Sequence, residues 1–161
     1  MTDAPRLEPA DELAIRSLIA VYSDAVICRD GAAAASVFAD DGVLHAFAGD
    51  PIDGRDAIER ALSNRVGDFK GFSYQIMSTV HVTADGDGAV ARSHYFEISS
   101  TGESAVGRLS TGTARDRFVR TAEGWRVAYR RLTRSYVGDM AAPGKSFPLA
   151  FAAWAAGADE I

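Results

Sequence analysis

Hydrophobic residues recur at helical spacing along the first part of the chain. Proline and acids open the pattern at 9–12, and apolar side chains then follow every three or four positions, at Ile15, Leu18, Ile19, Tyr22 and Val26. This pattern predicts a first helix over residues 9–29, ended by Asp30-Gly31. The alanine-rich stretch AAAASVF predicts a short second helix that ends before Asp40-Asp41-Gly42.

Further along, the period of the apolar positions changes to two. Residues 43–48 predict a short strand, and Ile58 and Leu62 predict a third short helix that stops near Gly67. From about residue 71, β-branched and aromatic runs separated by glycine-rich turns predict an antiparallel meander of four strands, at 72–83, 89–99, 108–119 and 125–136. A final helix is predicted over 146–156, placed to cover the sheet as a lid.

The order of these elements indicates the fold class. Helices that precede a run of strands are typical of α+β proteins rather than of alternating α/β proteins. No internal repeat, low-complexity tract or linker divides the 161 residues. We therefore predict one domain over 1–161, with a core at about 10–138 and a C-terminal extension over 139–161.

Composition narrows the possible partners. With a formal net charge of −5, the chain lacks the excess of basic residues that binding to the nucleic-acid backbone requires. The longest apolar stretch, 18–28, is interrupted by Tyr22, Ser23 and Asp24, and the first twelve residues carry acids and prolines where a secretory signal needs an apolar run. We therefore expect a cytoplasmic protein without a membrane segment. Cys28, the one cysteine, is interpreted as a small core hydrophobe.

Five stretches in order resemble the SnoaL-like branch of the nuclear-transport-factor-2-like superfamily. They are LAIRSLIAVYSDAV, FADDGVL, GRDAIERAL, TADGDGAVARSHYF and GTARDRFVRTAEGWRVAYRRL, and they cover roughly residues 10–138. The family includes scytalone dehydratase, hexachlorocyclohexane dehydrochlorinase, bile acid dehydratases and polyketide cyclases. The resemblance implies a cone-shaped α+β barrel, in which N-terminal helices wrap a strongly curved, mostly antiparallel sheet around an apolar pocket.

The resemblance also implies a chemistry. Its members act on small apolar substrates, of polycyclic, polyketide, terpenoid or steroid type, by proton transfer without a metal or cofactor. In dehydratase-like members, an aspartate late in the first helix pairs with a histidine at the start of the first long strand. Those positions fall here at Ile27 and at Tyr74 or Gln75, so neither half of the dyad is present. The alternative is therefore a non-catalytic ligand-binding or dimerising scaffold.

The second and third strands of the meander suggest a catalytic face. The turn over 85–88 sets Thr79 opposite His94 and His81 opposite Arg92, so that the two histidines share one face. The same face is predicted to carry Met77, Phe96 and Ile98, a mixed surface expected where a sheet lines a pocket. His94 is the candidate general base or ligand hydrogen bond. The alternative is a histidine satisfied within the sheet or at a dimer interface.

Other candidates lie elsewhere in the predicted fold. Tyr22 and Tyr74 could supply hydroxyl donors or weak acids, although buried tyrosines usually just find a partner. Val26 and Ile27 are predicted to line the pocket, while Asp30 either reaches its mouth or simply ends the first helix. Arg130 matches an arginine that the resembling dehydrochlorinase uses near its pocket.

Two remaining expectations concern metals and subunits. His45, His81, His94 and Cys28 show no zinc spacing, and the turn ADGDG lacks the glutamate of a calcium loop, since Phe96 stands at position twelve. We predict no metal and no cofactor. A homodimer through the outer sheet face is expected from the resemblance, with contacts from alternating apolar residues at Val80, Val82, Ala91 and Tyr95.

Overall fold

The computed structural model describes residues 7–67, 71–101 and 106–141. These residues form three helices and six strands, in the order α1 (Pro9–Cys28), α2 (Gly31–Ser36), β1 (Phe38–Ala46), β2 (Ile52–Asp53), α3 (Arg55–Gly67), β3 (Gly71–Asp85), β4 (Gly88–Thr101), β5 (Val106–Thr121) and β6 (Gly124–Ala141). The predicted α+β class is confirmed. The helix predicted over 146–156 lies outside the described residues.

The strands form one mixed sheet in the order β2-β1-β6-β5-β4-β3. The predicted meander is confirmed, because β3 to β6 pair consecutively and antiparallel. β1 pairs in parallel with β6, which makes the sheet mixed. Within the described residues the sheet is open, with β2 and β3 at its edges, and does not close into the barrel that the resemblance implied.

The junction between α1 and α2 follows from its capping residues. α1 has proline in its first turn. Its C-cap is Arg29, whose backbone is left-handed with φ 61° and whose amide donates to carbonyls of the last helical turn. The carboxylate of Asp30 then accepts a hydrogen bond of 2.8 Å from the amide of Ala33. Asp30 is therefore the N-cap of α2, and the predicted end of the first helix is correct to one residue.

β1 begins five residues earlier than the sequence pattern predicted. Asp40-Asp41-Gly42 looks like a turn, yet the chain continues as a strand there, with an irregularity in its pairing to β6 between Phe38 and Val43. A Cβ at Gly42 would lie 2.9 Å from the carbonyl oxygens of both Ala39 and Val127. Glycine is therefore required for the close approach of β1 to β6.

All three helices pack on one side of the sheet, which we call the inner face. Large apolar side chains from helices and sheet meet there and are nearly inaccessible to solvent, among them Ile15, Ile19, Phe38, Leu44, Ile58, Phe118 and Val127. β4 turns only small residues toward this part of the core, at Ala89, Ala91 and Ser93. The helices fit against β4 because these side chains leave room for them.

A bulge in β3 decides which residues face inward. His81 pairs with Arg92, as predicted, but His94 pairs with Ser78 rather than with Thr79. The backbone of Thr79 is left-handed, with φ 53°. Because β3 has one extra residue here, side chains before the bulge point to the opposite face from the one that a regular strand would give them. Met77 is consequently on the inner face, opposite Tyr95, whereas His81 and His94 point outward.

The prediction of the two sheet faces was therefore wrong for several residues. Ala91 and Tyr95, expected on an outer dimer face, are 6% and 2% exposed on the inner side. Val80 and Val82 are partly buried against the helical core. The outer face instead exposes a different apolar set, at Tyr74, Ile76, Phe96 and Tyr136. The homodimer itself stays a prediction.

Candidate functional site

A cavity of about 310 Å³ lies between the helices and the inner face of the sheet. Residues from every helix and from all six strands line it, so its shape depends on the whole fold rather than on one loop. Its apolar part comes from the helices, β1, β2 and β6, with Tyr22, Ala25, Val26, Ala34, Leu44, Ile52, Leu62 and Leu132. The cavity volume is at the lower end of the range of about 300–1,000 Å³ for small-molecule sites.

The opposite side of the cavity is polar, and strand register builds it. Gln75 of β3 pairs with Glu97 of β4, which pairs with Ser110 of β5. In the neighbouring row, Ser73 pairs with Ser99, and Ser99 with Arg108. We call these six residues the polar wall. Because they alternate with outward-facing neighbours, all six reach the cavity from the same face.

Glu97 is held on the polar wall by two neutral donors. The amide nitrogen of Gln75 donates to one carboxylate oxygen at 3.0 Å, and the hydroxyl of Ser73 donates to the other at 3.3 Å. Among the described residues, no arginine, lysine or histidine comes within 4 Å of this carboxylate. Within the described residues, Glu97 is therefore held by neutral hydrogen-bond donors and forms no ion pair.

Gln75 is itself fixed in place. Its side chain is only 5% exposed, and the hydroxyl of Ser23 in α1 donates a hydrogen bond of 2.8 Å to its backbone carbonyl. The amide oxygen of Gln75 is buried and has no hydrogen-bond partner within the described parts of the chain. An unmet buried acceptor costs about 1–3 kcal/mol, so a donor group on a ligand would be stabilised here.

Tyr95 lies beside the polar wall and is 2% exposed. Its hydroxyl is 3.3 Å from that of Ser110, and its ring meets Phe47 edge to face at 6.1 Å. Burial raises the pKa of Tyr95 above its ordinary value, although the Ser110 hydrogen bond and the charge of Arg134 oppose that rise. Tyr95 therefore stays a neutral hydroxyl. Arg134 also stacks 3.8 Å from the Phe47 ring centroid.

Behind the apolar side of the cavity lies a buried ion pair. Arg130 donates to both carboxylate oxygens of Asp116 at 2.8 Å, and neither side chain is exposed. The guanidinium also lies 4.1 Å from the ring centroid of Tyr22, which lines the cavity. Burial lowers the pKa of Arg130, but the charge and hydrogen bonds of Asp116 more than offset this, and its pKa stands above the ordinary value. Arg130 thus supports Tyr22 from behind and does not line the cavity.

The structure brings only some of the predicted site residues together at the cavity. Tyr22, Val26 and Asp30 line the cavity. Ile27 is half-buried on α1 but outside the lining, and Met77 packs in the core. The remaining candidates, His94, Tyr74, Phe96 and Ile98, lie on the outer face of the sheet and are absent from the lining of this cavity.

Sequence reasoning missed the residues that form the polar wall. Glu97 and Ser99 lie on the face of β4 opposite to His94, and the bulge at Thr79 brings Gln75 of β3 to that same face. One signal was available, because the small residues Ala89, Ala91 and Ser93 alternate with Arg92 and His94, as expected where helices cover one side of a strand. Extending that alternation along β4 leads to Tyr95 and Glu97.

Within the described residues, no group of three or more histidine, cysteine, aspartate or glutamate side chains is arranged to hold a metal ion. No helix within those ranges has the length and apolar character needed to cross a bilayer.

Comparison with known proteins places this geometry among related folds. A family profile described as a SnoaL-like domain matches residues 8–131. No curated protein matches the chain. A protein of unknown function from Mycobacterium tuberculosis is 27% identical with a TM-score of 0.69, over 80% of this chain and 78% of that one.

Two structures from Novosphingobium aromaticivorans are also similar. A protein with a cystatin-like fold, described as NTF2-like, is 26% identical with a TM-score of 0.67, over 78% of this chain and 82% of that one. A provisionally assigned scytalone dehydratase is 20% identical with a TM-score of 0.72, over 86% of this chain and 96% of its own. At that identity the likeness shows the fold alone.

Proposed function

The chain belongs to the SnoaL-like domain family, and we propose that it is a cofactor-independent enzyme of the lyase, isomerase or cyclase type. It acts by proton transfer on a small, largely apolar substrate of polycyclic, polyketide, terpenoid or steroid character. One observation carries the proposal: the Glu97 carboxylate, which forms no ion pair among the described residues, is held by two neutral donors on one side of a cavity whose opposite side is apolar. A positioned general acid or base contributes about 10²–10⁴-fold to rate.

Binding in this proposal comes from the apolar side. Each Å² of apolar surface removed from water contributes about 25 cal/mol, so a fused-ring or chain-like substrate packs against Val26, Leu44 and Leu132. The polar wall then orients the oxygen-bearing edge of the substrate. The unmet amide oxygen of Gln75 accepts a hydrogen bond from a substrate hydroxyl.

Glu97 is the proposed general base. It removes a proton from a carbon next to a carbonyl, and the electron pair moves to the carbonyl oxygen, which the guanidinium of Arg134 on the cavity lining stabilises. In a β,γ-unsaturated substrate, protonated Glu97 returns the proton to the γ carbon, the carbonyl re-forms, and the double bond has moved. In a β-hydroxy substrate, the carbonyl re-forms as the carbon–oxygen bond to the hydroxyl breaks, and the hydroxyl takes the proton from Glu97 and leaves as water. Asp30, the other acid on the cavity lining described here, already uses its carboxylate to cap α2.

A non-catalytic ligand-binding domain is the second candidate. Of the two positions where the family's histidine falls, Tyr74 is exposed on the outer face and Gln75 faces the cavity. An amide neither gives nor takes a proton at ordinary pH, and Ile27 stands where the family has its aspartate. This loss of both dyad members favours simple binding.

The deciding experiment combines binding with turnover. The purified chain is screened by thermal shift against polycyclic, steroid, terpenoid and polyketide-like ketones and alcohols, because ligand binding raises the melting temperature by mass action. Stabilising compounds are then incubated with protein and analysed by mass spectrometry and by deuterium incorporation from D₂O. We expect Glu97→Gln to keep the thermal shift and to lose at least a hundredfold in turnover or exchange.

Two control variants sharpen this test. Glu59→Gln makes the same chemical change on an exposed position of α3 and is expected to behave as the wild type. His94→Ala removes the imidazole that the sequence favoured, and its exposed position predicts no loss of turnover. If ligands bind but are neither converted nor exchanged by the wild type, the binding-domain candidate replaces the enzyme. If His94→Ala abolishes turnover, the assignment of Glu97 is wrong.

A further inference from the structure

The outer face of the sheet carries an unbroken row of basic side chains, remote from the cavity lining. His81 of β3 pairs with Arg92 of β4, Arg92 with Arg115 of β5, Arg115 with Arg131 of β6, and Arg131 with His45 of β1. Directly opposed residues on neighbouring strands are about 4.5–5.5 Å apart. Five adjacent strands thus present five imidazole or guanidinium groups in one line.

A second cavity of about 530 Å³ follows this row. The next outward row adds Arg117 of β5 and Tyr129 of β6, which are paired in the sheet. The Arg117 guanidinium lies 5.3 Å from the centroid of the Tyr129 ring. We call the depression the basic groove; its side chains that carry chemistry are His81, Arg92, Arg115, Arg117, Tyr129 and Arg131.

Within the described part of the chain, no carboxylate forms an ion pair with an arginine of the basic groove. In the described ranges, five other arginines form ion pairs with carboxylates within 4 Å, but none of the four in the groove does. Arg131 instead contacts Nδ1 of His45 at 2.6 Å. Asp116 follows Arg115 in sequence but turns its carboxylate to the inner face, where Arg130 takes both oxygens.

Such a cluster is costly without a counter-charge. Like charges directly opposite one another in a sheet destabilise it, and here they concentrate on one face of a chain whose net charge is −5. The four arginines of the groove lie on the three adjacent strands β4, β5 and β6, which together span about 10 Å. Along β5, the two arginines are two residues apart, or about 7 Å, so all four guanidiniums lie in a patch of about 10 Å by 7 Å. One guanidinium can donate two parallel N–H hydrogen bonds to the oxygens of a phosphate group. Balancing the charge of four guanidiniums requires a ligand with more than one negative charge.

We propose that the basic groove is a binding site for a compound carrying a diphosphate group. Two linked phosphates supply the charge that four arginines need, and they are compact enough to be reached from three strands. Arg92, Arg115 and Arg131 bind the phosphate oxygens, while Tyr129 and Arg117 border the site. The site is separate from the cavity, so the proposal stands whether or not the chain is an enzyme.

The test uses the full chain and inorganic pyrophosphate as the probe. Titration calorimetry at low salt is expected to show saturable binding of one pyrophosphate per chain, with an affinity that falls as salt is raised. The double variant Arg92→Gln, Arg115→Gln should bind at least tenfold more weakly. Arg60→Gln removes the same kind of charge from an exposed position of α3 and should leave the affinity unchanged. Inorganic phosphate should bind at least tenfold more weakly than pyrophosphate.

A stability measurement shows whether the variants report on the groove. Without added anion, Arg115→Gln should melt at a higher temperature than the wild type, because it relieves repulsion between the arginines of the row. Added pyrophosphate should raise the melting temperature of the wild type more than that of Arg115→Gln. Absence of pyrophosphate binding, equal binding of phosphate, or an equal loss in Arg60→Gln would overturn the proposal. A wild-type dimer that dissociates in Arg115→Gln would also overturn it, by assigning the groove to a subunit contact.

Discussion

Neutralising Asp116 should be among the most destabilising single changes in this chain. Asp116→Asn keeps the shape of the side chain but leaves the Arg130 guanidinium buried without its counter-charge. Both side chains are fully inaccessible, and two hydrogen bonds of 2.8 Å join them. Removing one partner of a buried pair costs about 3–5 kcal/mol, because the other charge stays in the interior uncompensated.

That free energy converts into a measurable shift. For a domain of this length, about 1 kcal/mol lowers the melting temperature by about 2–4 °C, so Asp116→Asn should melt about 6–20 °C below the wild type. Urea unfolding followed by circular dichroism and by tryptophan fluorescence should give coincident transitions with a lowered midpoint. Asp53→Asn, the same change at an exposed position, should stay within about 0.5 kcal/mol of the wild type.

A double variant separates charge from packing. Asp116→Leu with Arg130→Met replaces the pair by apolar side chains of similar reach, and such replacements are often neutral or stabilising. We expect it to recover most of the stability that Asp116→Asn loses. A loss below about 1 kcal/mol in Asp116→Asn would refute the reasoning, since the Arg130 charge would then have another source of compensation. A double variant less stable than Asp116→Asn would show that packing, not charge, dominates.

Three further predictions concern separate parts of the fold. Gly112→Ala should fail to fold or lose more than about 3 kcal/mol of unfolding free energy, because the added Cβ would collide with the carbonyl oxygen of Thr133 in β6. Gly49→Ala is the control and should fold normally, since its Cβ would lie 3.6 Å from the nearest atom. Soluble yield and the urea midpoint measure both variants. Asp30→Ala removes an N-cap and should cost about 1 kcal/mol in urea unfolding. Hydrogen bonds, first from the Trp125 indole, lower the pKa of Asp11, so its stabilisation is present above the unfolded pKa and is lost as pH falls through the folded one. Asp11→Asn should therefore show a shallower loss of stability below about pH 4 than the wild type.

Most of the fold could be predicted because it depends on periodicity within single elements. α1 shows its apolar stripe and its capping residues directly, and the β4, β5 and β6 runs alternate over many positions. Pairing partners of β1 could not be found in this way, because a parallel contact with β6 joins segments more than 80 residues apart. Gly42 led to the wrong start for β1, because glycine after two aspartates is typical of turns. That glycine is needed here for the close approach of β1 to β6 can be seen only when the position of β6 is known.

The inward facing of Gln75 was missed because of a bulge in the backbone of β3. Without a bulge, the turn after Asp85 would place Gln75 opposite Ile98 and facing outward. The one extra residue near Thr79 shifts the pairing so that Gln75 faces inward, opposite Glu97. A β-branched residue at φ 53° is strained, and strain of this kind is stored where the surrounding structure requires it.

The bulge therefore lets one hairpin serve both sheet faces. On its far side, toward the turn, the register places His81 beside Arg92 in the basic groove; on its near side, the shifted register brings Gln75 to the Glu97 carboxylate in the cavity. A continuous strand could satisfy only one of these alignments, because a one-residue slip moves every side chain to the other face. The strained backbone at Thr79 therefore allows the side-chain amide of Gln75 to donate a hydrogen bond to Glu97. This hydrogen bond positions the carboxylate that acts as the base in the proposed proton transfer.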